Sequence, residues 1–250
     1  MIEFFSALRS GFGFLTTIPV GIDMEGIEKL MKHIYLFPVV GAVTGIILAL
    51  IAYAAAVFFP VLLISVILII SIYYLTGFNH IDGLADFGDG LAAHGTREKK
   101  IKAMRDTAVG TGGVVVCIIA LLSLYSSLAS IPEIILPLSL VVAETSAKQS
   151  MITVAAFGRK LHEGFGSMTV DNTKRSDFII GMVFSGAVNY LLLGITGIEA
   201  LIIAQLAGLL VLNTANRHFG GVSGDIVGAT NEIGRVAALL AITGAQWMQF

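Results

Sequence analysis

Seven segments of this 250-residue chain are apolar over lengths close to the roughly 20 residues that a helix needs to cross a lipid bilayer. They cover residues 34–59, 61–78, 113–131, 134–157, 178–195, 198–214 and 233–250. Only 13% of the residues are charged, about half the share that is usual in a soluble domain. The pattern predicts an all-α fold, a polytopic integral membrane helical bundle of about seven transmembrane helices that forms one domain over residues 1–250.

Two features refine this arrangement. Pro60 interrupts the apolar run between residues 34 and 78, which predicts a tight turn between two antiparallel spans. Residues 2–16 carry apolar side chains at helical spacing with Glu3, Ser6 and Arg9 between them. We predict an N-terminal amphipathic helix there, either in the membrane interface or packed on the bundle.

Basic residues fall on alternate connections between the predicted spans. Fourteen of the fifteen Lys and Arg residues lie on one side, with Arg235, near the start of the last span, counted to the connection before it, and Lys148 alone lies deep within a span. By the positive-inside rule that side is cytoplasmic, so we predict a multi-pass protein of the cell membrane. Its active-site loops are predicted at about residues 79–112, 158–177 and 215–232, on the cytoplasmic side. The net charge of −2 gives no reason to expect a nucleic-acid partner.

The segment HIDGLADFGDGL, residues 80–91, contains the most unusual pattern. Asp82, Asp86 and Asp89 stand at i, i+4 and i+7, so they share one stripe of a helix. Carboxylates so close repel one another unless a cation lies among them, and Mg²⁺ favours carboxylate oxygens. The pattern favours a magnesium site over the alternative, a solvated acidic helix end. His80 is either a general base or a hydrogen-bond donor to a carboxylate, and the interleaved glycines are expected to let a ligand approach the backbone.

Three other segments carry candidate residues. TREKKIKAMRD, residues 96–106, predicts a short amphipathic helix that ends in Arg105 and Asp106, and the glycines after it form either an anion-binding nest or a turn. GGVSGDIVGATNE, residues 220–232, places Asp225 among glycines, where it adds a carboxylate to the metal site, holds a sugar hydroxyl or belongs to a turn. Glu144 and Lys148 are predicted to pair within their span and to line a polar substrate cavity.

These motifs occur in the order typical of one family. Together with FLTTIPV, residues 14–20, they resemble the cobalamin synthases, or adenosylcobinamide-GDP ribazoletransferases, over about residues 4–235. The resemblance implies a membrane-bound enzyme whose partners are its two substrates and the lipid bilayer. It would transfer the adenosylcobinamide phosphate of adenosylcobinamide-GDP to α-ribazole or its 5′-phosphate and release GMP, with Mg²⁺ as the cofactor. Assembly as a homo-oligomer stays open.

The resemblance also implies roles for particular residues. Asp82, Asp86, Asp89 and Asp106 would hold Mg²⁺. His80, Asp82 and Arg105 would be catalytic, with Arg105 and Lys102 neutralising the leaving GMP and His80 or an aspartate receiving the ribose proton. The predicted substrate contacts are Asn79, Lys102, Gly110, Gly112, Gly113, Glu144, Lys148, Gly224 and Asp225.

Two other functions compete with this hypothesis. A CDP-alcohol phosphotransferase would share the Asp-Gly pair and the alanine of residues 82–85, but it expects an arginine where Asp86 stands. A transporter would use Glu144, Lys148 and the aspartates as an ion path. Transporter sites lie near the membrane midplane, often between repeats, whereas this acidic cluster lies at a predicted membrane edge and no repeat is visible. The pattern therefore favours an enzyme.

Overall fold

The computed structural model describes residues 2–162, 164 and 166–248, and over these residues the secondary structure is helical. The helices are α1 (Ile2–Leu15), α2 (Met24–Met31), α3 (Phe37–Ala56), α4 (Val61–Thr76), α5 (Asn79–Ala92), α6 (Arg97–Met104), α7 (Thr111–Ser130), α8 (Leu136–Phe157), α9 (Ser167–Asn172), α10 (Arg175–His218) and α11 (Gly224–Trp247). A 3₁₀ turn, Ile34–Leu36, leads directly into α3. The predicted all-α fold is confirmed, and α1 lies where the N-terminal amphipathic helix was expected.

Within the described residues, four helical segments are long and apolar enough to cross a membrane. They are α7, α10, α11 and the segment Ile34–Ala56. That last segment consists of the 3₁₀ turn and α3. A fifth crossing results if α4 and α5 are counted together, although the two meet at a bend of 95°. These four or five candidate spans support a membrane protein, but the predicted count of seven is not confirmed.

The two spans predicted at 178–195 and 198–214 belong to one helical segment, α10, which is broken at a single residue. Gly194 has a φ of +58°, a backbone conformation that glycine adopts without a steric penalty. The side-chain amide of Asn189 lies 3.4 Å from the carbonyl of Gly197, eight residues further on, so the chain turns back on itself here. The connection between the arms 175–193 and 195–218 is therefore shorter than the sequence pattern suggested.

Helix α8 lies at the centre of the bundle, where it packs against α3, α10 and α11. All of its residues from Ser139 to Ala155 are buried, including the charged and amide side chains. A Cβ atom added at Gly41 or Gly45 of α3 would lie 2.6 Å from the Glu144 carbonyl oxygen or 2.5 Å from the Val141 Cα atom, respectively. Because protein rather than lipid surrounds α8, its polar side chains can be satisfied by neighbouring helices.

Glycines of α5 hold that helix against the N-termini of α7 and α11. A Cβ atom at Gly83 would lie 2.6 Å from the Asp225 carbonyl oxygen, and one at Gly88 would lie 2.9 Å from the Gly112 carbonyl oxygen. Gly90 is packed in the same way against the Phe219 ring. The expectation that these glycines admit a ligand was therefore wrong, because the space that they leave is filled by neighbouring helices.

Candidate functional site

Residues from four parts of the chain line one cavity of about 410 Å³, which we call the aspartate cavity. Its polar lining consists of Asp82 and Asp86 from α5, Arg105, Asp106 and Thr107 after α6, His162, and Asp225 from α11. Four of the predicted site carboxylates and one predicted catalytic arginine thus meet at one place. Two of them, Asp106 and Asp225, lie at least 20 residues from Asp82 and Asp86 in the sequence.

The position of Asp225 follows from how α11 begins. Ser223 is the N-cap residue, and its hydroxyl accepts a hydrogen bond from the Ile226 backbone N–H at 3.4 Å. The same hydroxyl donates to Oδ2 of Asp225 at 3.1 Å. With the close contact at Gly83, this cap holds the Asp225 carboxylate beside α5.

The carboxylates of the aspartate cavity are close enough to perturb one another. Partial burial, followed by the charges of Asp225, Asp82 and Asp89, raises the pKa of Asp86 to about 7. The helix that carries Asp82 and Asp86, α5, has 14 residues and bends away from α4. It is therefore too short to cross the hydrocarbon core by itself. A cation among these carboxylates would relieve their repulsion.

A preformed three-ligand metal centre is absent from the described part of the chain, because no three His, Cys, Asp or Glu side chains there are placed to hold one ion. This does not conflict with a magnesium site. Mg²⁺ is commonly held by only one or two carboxylates, with water and substrate phosphates in its other positions. The donor chemistry of the aspartate cavity therefore fits an ion that binds together with a phosphorylated substrate.

Asp89 does not line the aspartate cavity but caps α7. Its carboxylate accepts hydrogen bonds from the backbone N–H groups of Gly110, at 2.7 Å, and Gly113, at 2.8 Å. A carboxylate at a helix N-terminus satisfies free N–H groups and stabilises the helix dipole. The predicted anion-binding nest at Gly110, Gly112 and Gly113 therefore holds an anion of the protein itself. Asp89 lies near enough for its charge to act on Asp86, but it does not line the cavity where the other predicted metal ligands meet.

Two basic residues at the C-terminal end of α6 face an open groove of about 690 Å³ beside the aspartate cavity. Lys102 lines this groove, and Arg105 and Asp106 line both the groove and the cavity. All three side chains are exposed, and Asp106 accepts a hydrogen bond from the Ala108 backbone N–H at 3.1 Å. Arg105 and Lys102 are thus placed where a negatively charged group leaving the cavity would pass.

The predicted pair of Glu144 and Lys148 is confirmed, with 3.3 Å between the ammonium and carboxylate groups. Arg235 of α11 binds the same Glu144 carboxylate and also Glu232, the latter at 2.6 Å. All four side chains are at most 2% exposed. The assignment of Arg235 to the cytoplasmic connection was therefore wrong, because it lies inside the bundle. Glu144 and Lys148 belong to this buried ionic network and do not line the aspartate cavity.

Asn231 connects the ionic network to His80. Its side-chain oxygen accepts from the Lys148 ammonium at 2.7 Å. Its amide nitrogen lies 3.0 Å from the Glu232 carboxylate and 3.2 Å from Nδ1 of His80. Burial, followed by the charges of Lys148 and Arg235, holds the pKa of His80 well below its usual range.

Sequence reasoning missed Asn231 and Glu232 because the last span was expected to begin at residue 233, and it counted Arg235, near the start of that span, to the connection before it. Ser223 was the available signal, since a serine before GDIV is a good N-cap and predicts a helix that starts at Gly224. A start at Gly224 would have placed Asn231 and Glu232 inside the helix and Arg235 well beyond its first turn.

A second cavity, of about 240 Å³, also has Asp225 in its lining. Its lining includes Phe14, Asn79, His80, Met151, Thr169 and Asp225. The predicted site residues Asn79, His80 and Gly224 thus lie at this second cavity, and Asp225 is shared by both cavities. Each of the three segments predicted as active-site loops contributes to one or both of them.

Comparison with known proteins assigns the chain to one family. Residues 7–243 match the family model described as cobalamin-5-phosphate synthase. The chain is 46% identical to an adenosylcobinamide-GDP ribazoletransferase of Methanosarcina barkeri, an alignment that covers 97% of this chain and 93% of that protein. It is 43% identical to the protein of the same name from Methanococcoides burtonii, with 98% and 94% covered, and 34% identical to that of Pyrococcus furiosus, with 92% and 96% covered. No solved structure matches the chain.

Proposed function

We propose, from the premise that this chain belongs to the cobalamin-5-phosphate synthase family, that it is a membrane-bound adenosylcobinamide-GDP ribazoletransferase. In this reaction a ribose hydroxyl of α-ribazole, or of its 5′-phosphate, attacks the phosphorus atom that carries the cobinamide. The new P–O bond forms as the bond to GMP breaks, and the hydroxyl proton passes to a carboxylate of the cavity. The products are adenosylcobalamin, or its 5′-phosphate, and GMP.

The observation that carries the proposal is the meeting of Asp82, Asp86, Asp225 and Arg105 on one cavity. Attack on a diphosphate requires that the hydroxyl be held close to a negatively charged phosphoryl group and that the charge on the leaving oxygens be neutralised. Carboxylates can hold a cation against the diphosphate, while an arginine can hold phosphate oxygens directly. Little covalent chemistry is asked of the protein, so positioning dominates.

Asp82 and Asp86 are the residues proposed to hold Mg²⁺, and Asp225 faces the same space. When bound, Mg²⁺ would supply charge neutralisation on the diphosphate oxygens. Asp106 is exposed at the rim of the cavity and is proposed as a further ligand, through its free carboxylate oxygen or a water molecule. Asp89 is left out of the proposed ligand set because its carboxylate caps α7.

Arg105 and Lys102 are proposed to receive the GMP leaving group. Arg105 lines both the cavity and the adjoining groove, and Lys102 lies in the groove. Two cations placed along this route would stabilise the phosphate charge as it moves out of the cavity.

The active site is proposed to face the cytoplasm. Arg97, Lys99, Lys100, Lys102 and Arg105 all belong to the connection that forms one wall of the aspartate cavity and the adjoining groove. Positively charged connections of this length remain on the cytoplasmic side of a membrane. The interior location of Arg235 removes one residue from that side and leaves its excess of positive charge intact.

The direct test is an assay on detergent-purified protein with adenosylcobinamide-GDP and α-ribazole 5′-phosphate. The two substrates are incubated with Mg²⁺ or with EDTA, and GMP and the corrinoid product are followed by mass spectrometry. We expect both products with Mg²⁺ and neither with EDTA. If folded protein forms neither product under either condition, the proposed activity is wrong; if both form in EDTA, only the magnesium requirement is wrong.

A further inference from the structure

The hydrogen bonds around Asn231 determine which way its amide group faces. The Lys148 ammonium can only donate, so the atom of Asn231 that lies 2.7 Å from it must be the carbonyl oxygen. The amide nitrogen therefore faces His80 and Glu232. Because the Glu232 carboxylate can only accept, it takes one of the two amide hydrogens, and the other points to Nδ1 of His80.

This orientation also determines the proton position on His80. A nitrogen that accepts a hydrogen bond carries no proton, so in the neutral imidazole the proton resides on Nε2. His80 lines the second cavity, and its Nδ1 is turned toward Asn231. Nε2 is therefore the ring nitrogen that remains to face the cavity. His80 then has no free lone pair with which to take a proton from a substrate.

We infer that the second cavity is the binding site for the acceptor nucleoside and that His80 is a hydrogen-bond donor to it. Asn231 and Lys148 act as positioning residues, because they orient the His80 ring without reaching the cavity. The inference rests on the proposed function, which supplies the identity of the acceptor. It assigns the ribose proton to an aspartate rather than to His80.

The lining and size of the second cavity suit a nucleoside. Phe14 and Met151 offer apolar contacts for a flat aromatic base, while Asn79, His80 and Thr169 offer polar groups for a sugar. At about 240 Å³ the cavity is far too small for a corrinoid ring. Asp225 lies on the wall shared with the aspartate cavity, so a sugar hydroxyl bound on one side would face a diphosphate bound on the other.

Two substitutions at His80 separate its two hydrogen bonds. In His80→Asn, the shorter amide reaches about as far as Nδ1, so it can keep the bond to Asn231 but offers no donor to the cavity. In His80→Gln, the longer amide reaches about as far as Nε2, so it can donate to the cavity but loses the bond to Asn231. Thermal melting of both detergent-purified variants confirms that each is folded.

The measurement is equilibrium binding of α-ribazole and, separately, of adenosylcobinamide-GDP to the wild type and both variants. We expect His80→Asn to weaken α-ribazole binding about tenfold, the effect of losing one hydrogen bond. His80→Gln should stay within about threefold of the wild type, and adenosylcobinamide-GDP should bind equally to all three. Wild-type affinity for α-ribazole in His80→Asn, or a loss confined to adenosylcobinamide-GDP, would overturn the inference.

Failure of the inference and failure of the proposed function give different results. Wild-type protein that does not bind α-ribazole overturns the nucleoside site, whatever its activity. Wild-type protein that binds α-ribazole in a His80-dependent way but makes no product retains the nucleoside site and refutes the proposed transfer.

The tautomer itself can be observed by ¹⁵N NMR of histidine-labelled protein, with the His80 signals identified by their absence from the His80→Gln spectrum. We expect a protonated Nε2 and an unprotonated Nδ1. In Asn231→Asp, a carboxylate replaces the amide donor, so the proton should move to Nδ1 and α-ribazole binding should weaken as in His80→Asn. A protonated Nδ1 in the wild type would contradict the proposed role.

Discussion

The substitution Gly83→Ala tests whether the contact of α5 with α11 sets the geometry of the aspartate cavity. The added methyl carbon would lie 2.6 Å from the Asp225 carbonyl oxygen, about 0.8 Å short of the 3.4 Å at which ordinary contact begins. The obstructing atom belongs to the backbone, so the two helices must separate by most of that distance. A displacement approaching 1 Å costs on the order of 100-fold in rate when catalysis depends on positioning.

We therefore expect kcat/KM for adenosylcobinamide-GDP to fall about 100-fold in Gly83→Ala, because Asp82 and Asp86 move away from Asp225. The added bulk should destabilise the protein by about 1–3 kcal/mol, which a thermal melt in detergent will report. Gly244→Ala is the matched control, because this glycine lies in α11 with no atom within 4 Å of an added Cβ. A folded Gly83→Ala variant with the kcat/KM of Gly244→Ala would refute the geometric argument.

Three further substitutions test other parts of the site. Asp89→Ala removes the cap of α7 and should cost about 1–2 kcal/mol of stability without changing the Mg²⁺ concentration for half-maximal activity; a shifted Mg²⁺ requirement would return Asp89 to the metal site. Arg235→Gln leaves two buried glutamates short of a cation and should cost about 3–5 kcal/mol, measured by thermal melting against Arg235→Lys; an unchanged melt would show that the network is not needed for stability. The double variant Lys99→Ala, Lys100→Ala should keep its activity within about twofold, since neither residue lines a described cavity, and a larger loss would implicate them in substrate binding.

Long apolar segments were the part of the fold that the sequence predicted best. The expected spans at 34–59 and 113–131 differ from Ile34–Ala56 and α7 by no more than three residues at either end. The prediction was less accurate for α10, because a break at one glycine depends on tertiary contacts such as that of Asn189 with Gly197. Residue spacing alone contains no information on such contacts.

Helical spacing correctly placed Asp82, Asp86 and Asp89 on one helix, but it did not distinguish their surroundings. Spacing determines which residues share a face of their own helix and says nothing about what packs against that face. Asp89 accepts a hydrogen bond at the N-terminus of α7, whereas Asp82 and Asp86 line the aspartate cavity. The neighbours of each carboxylate therefore had to come from the structure.

The buried charges show the same limit. The pair of Glu144 and Lys148 was predictable because both residues lie on one helix four positions apart. Their links to Arg235 and Asn231 join two helices more than 80 residues apart in the sequence. A pattern within one segment cannot indicate such a contact, although it does indicate that a buried charge needs a partner.

The central claim, that the aspartate cavity carries out the transfer, is tested most directly by product formation in Asp82→Asn. Asp89→Asn is the matched control, because the same substitution is made in the same helix outside the cavity. With melting temperatures establishing that both are folded, we predict no GMP or corrinoid product from Asp82→Asn and retained turnover in Asp89→Asn. Wild-type turnover in Asp82→Asn would contradict the assignment of the catalytic site to this cavity.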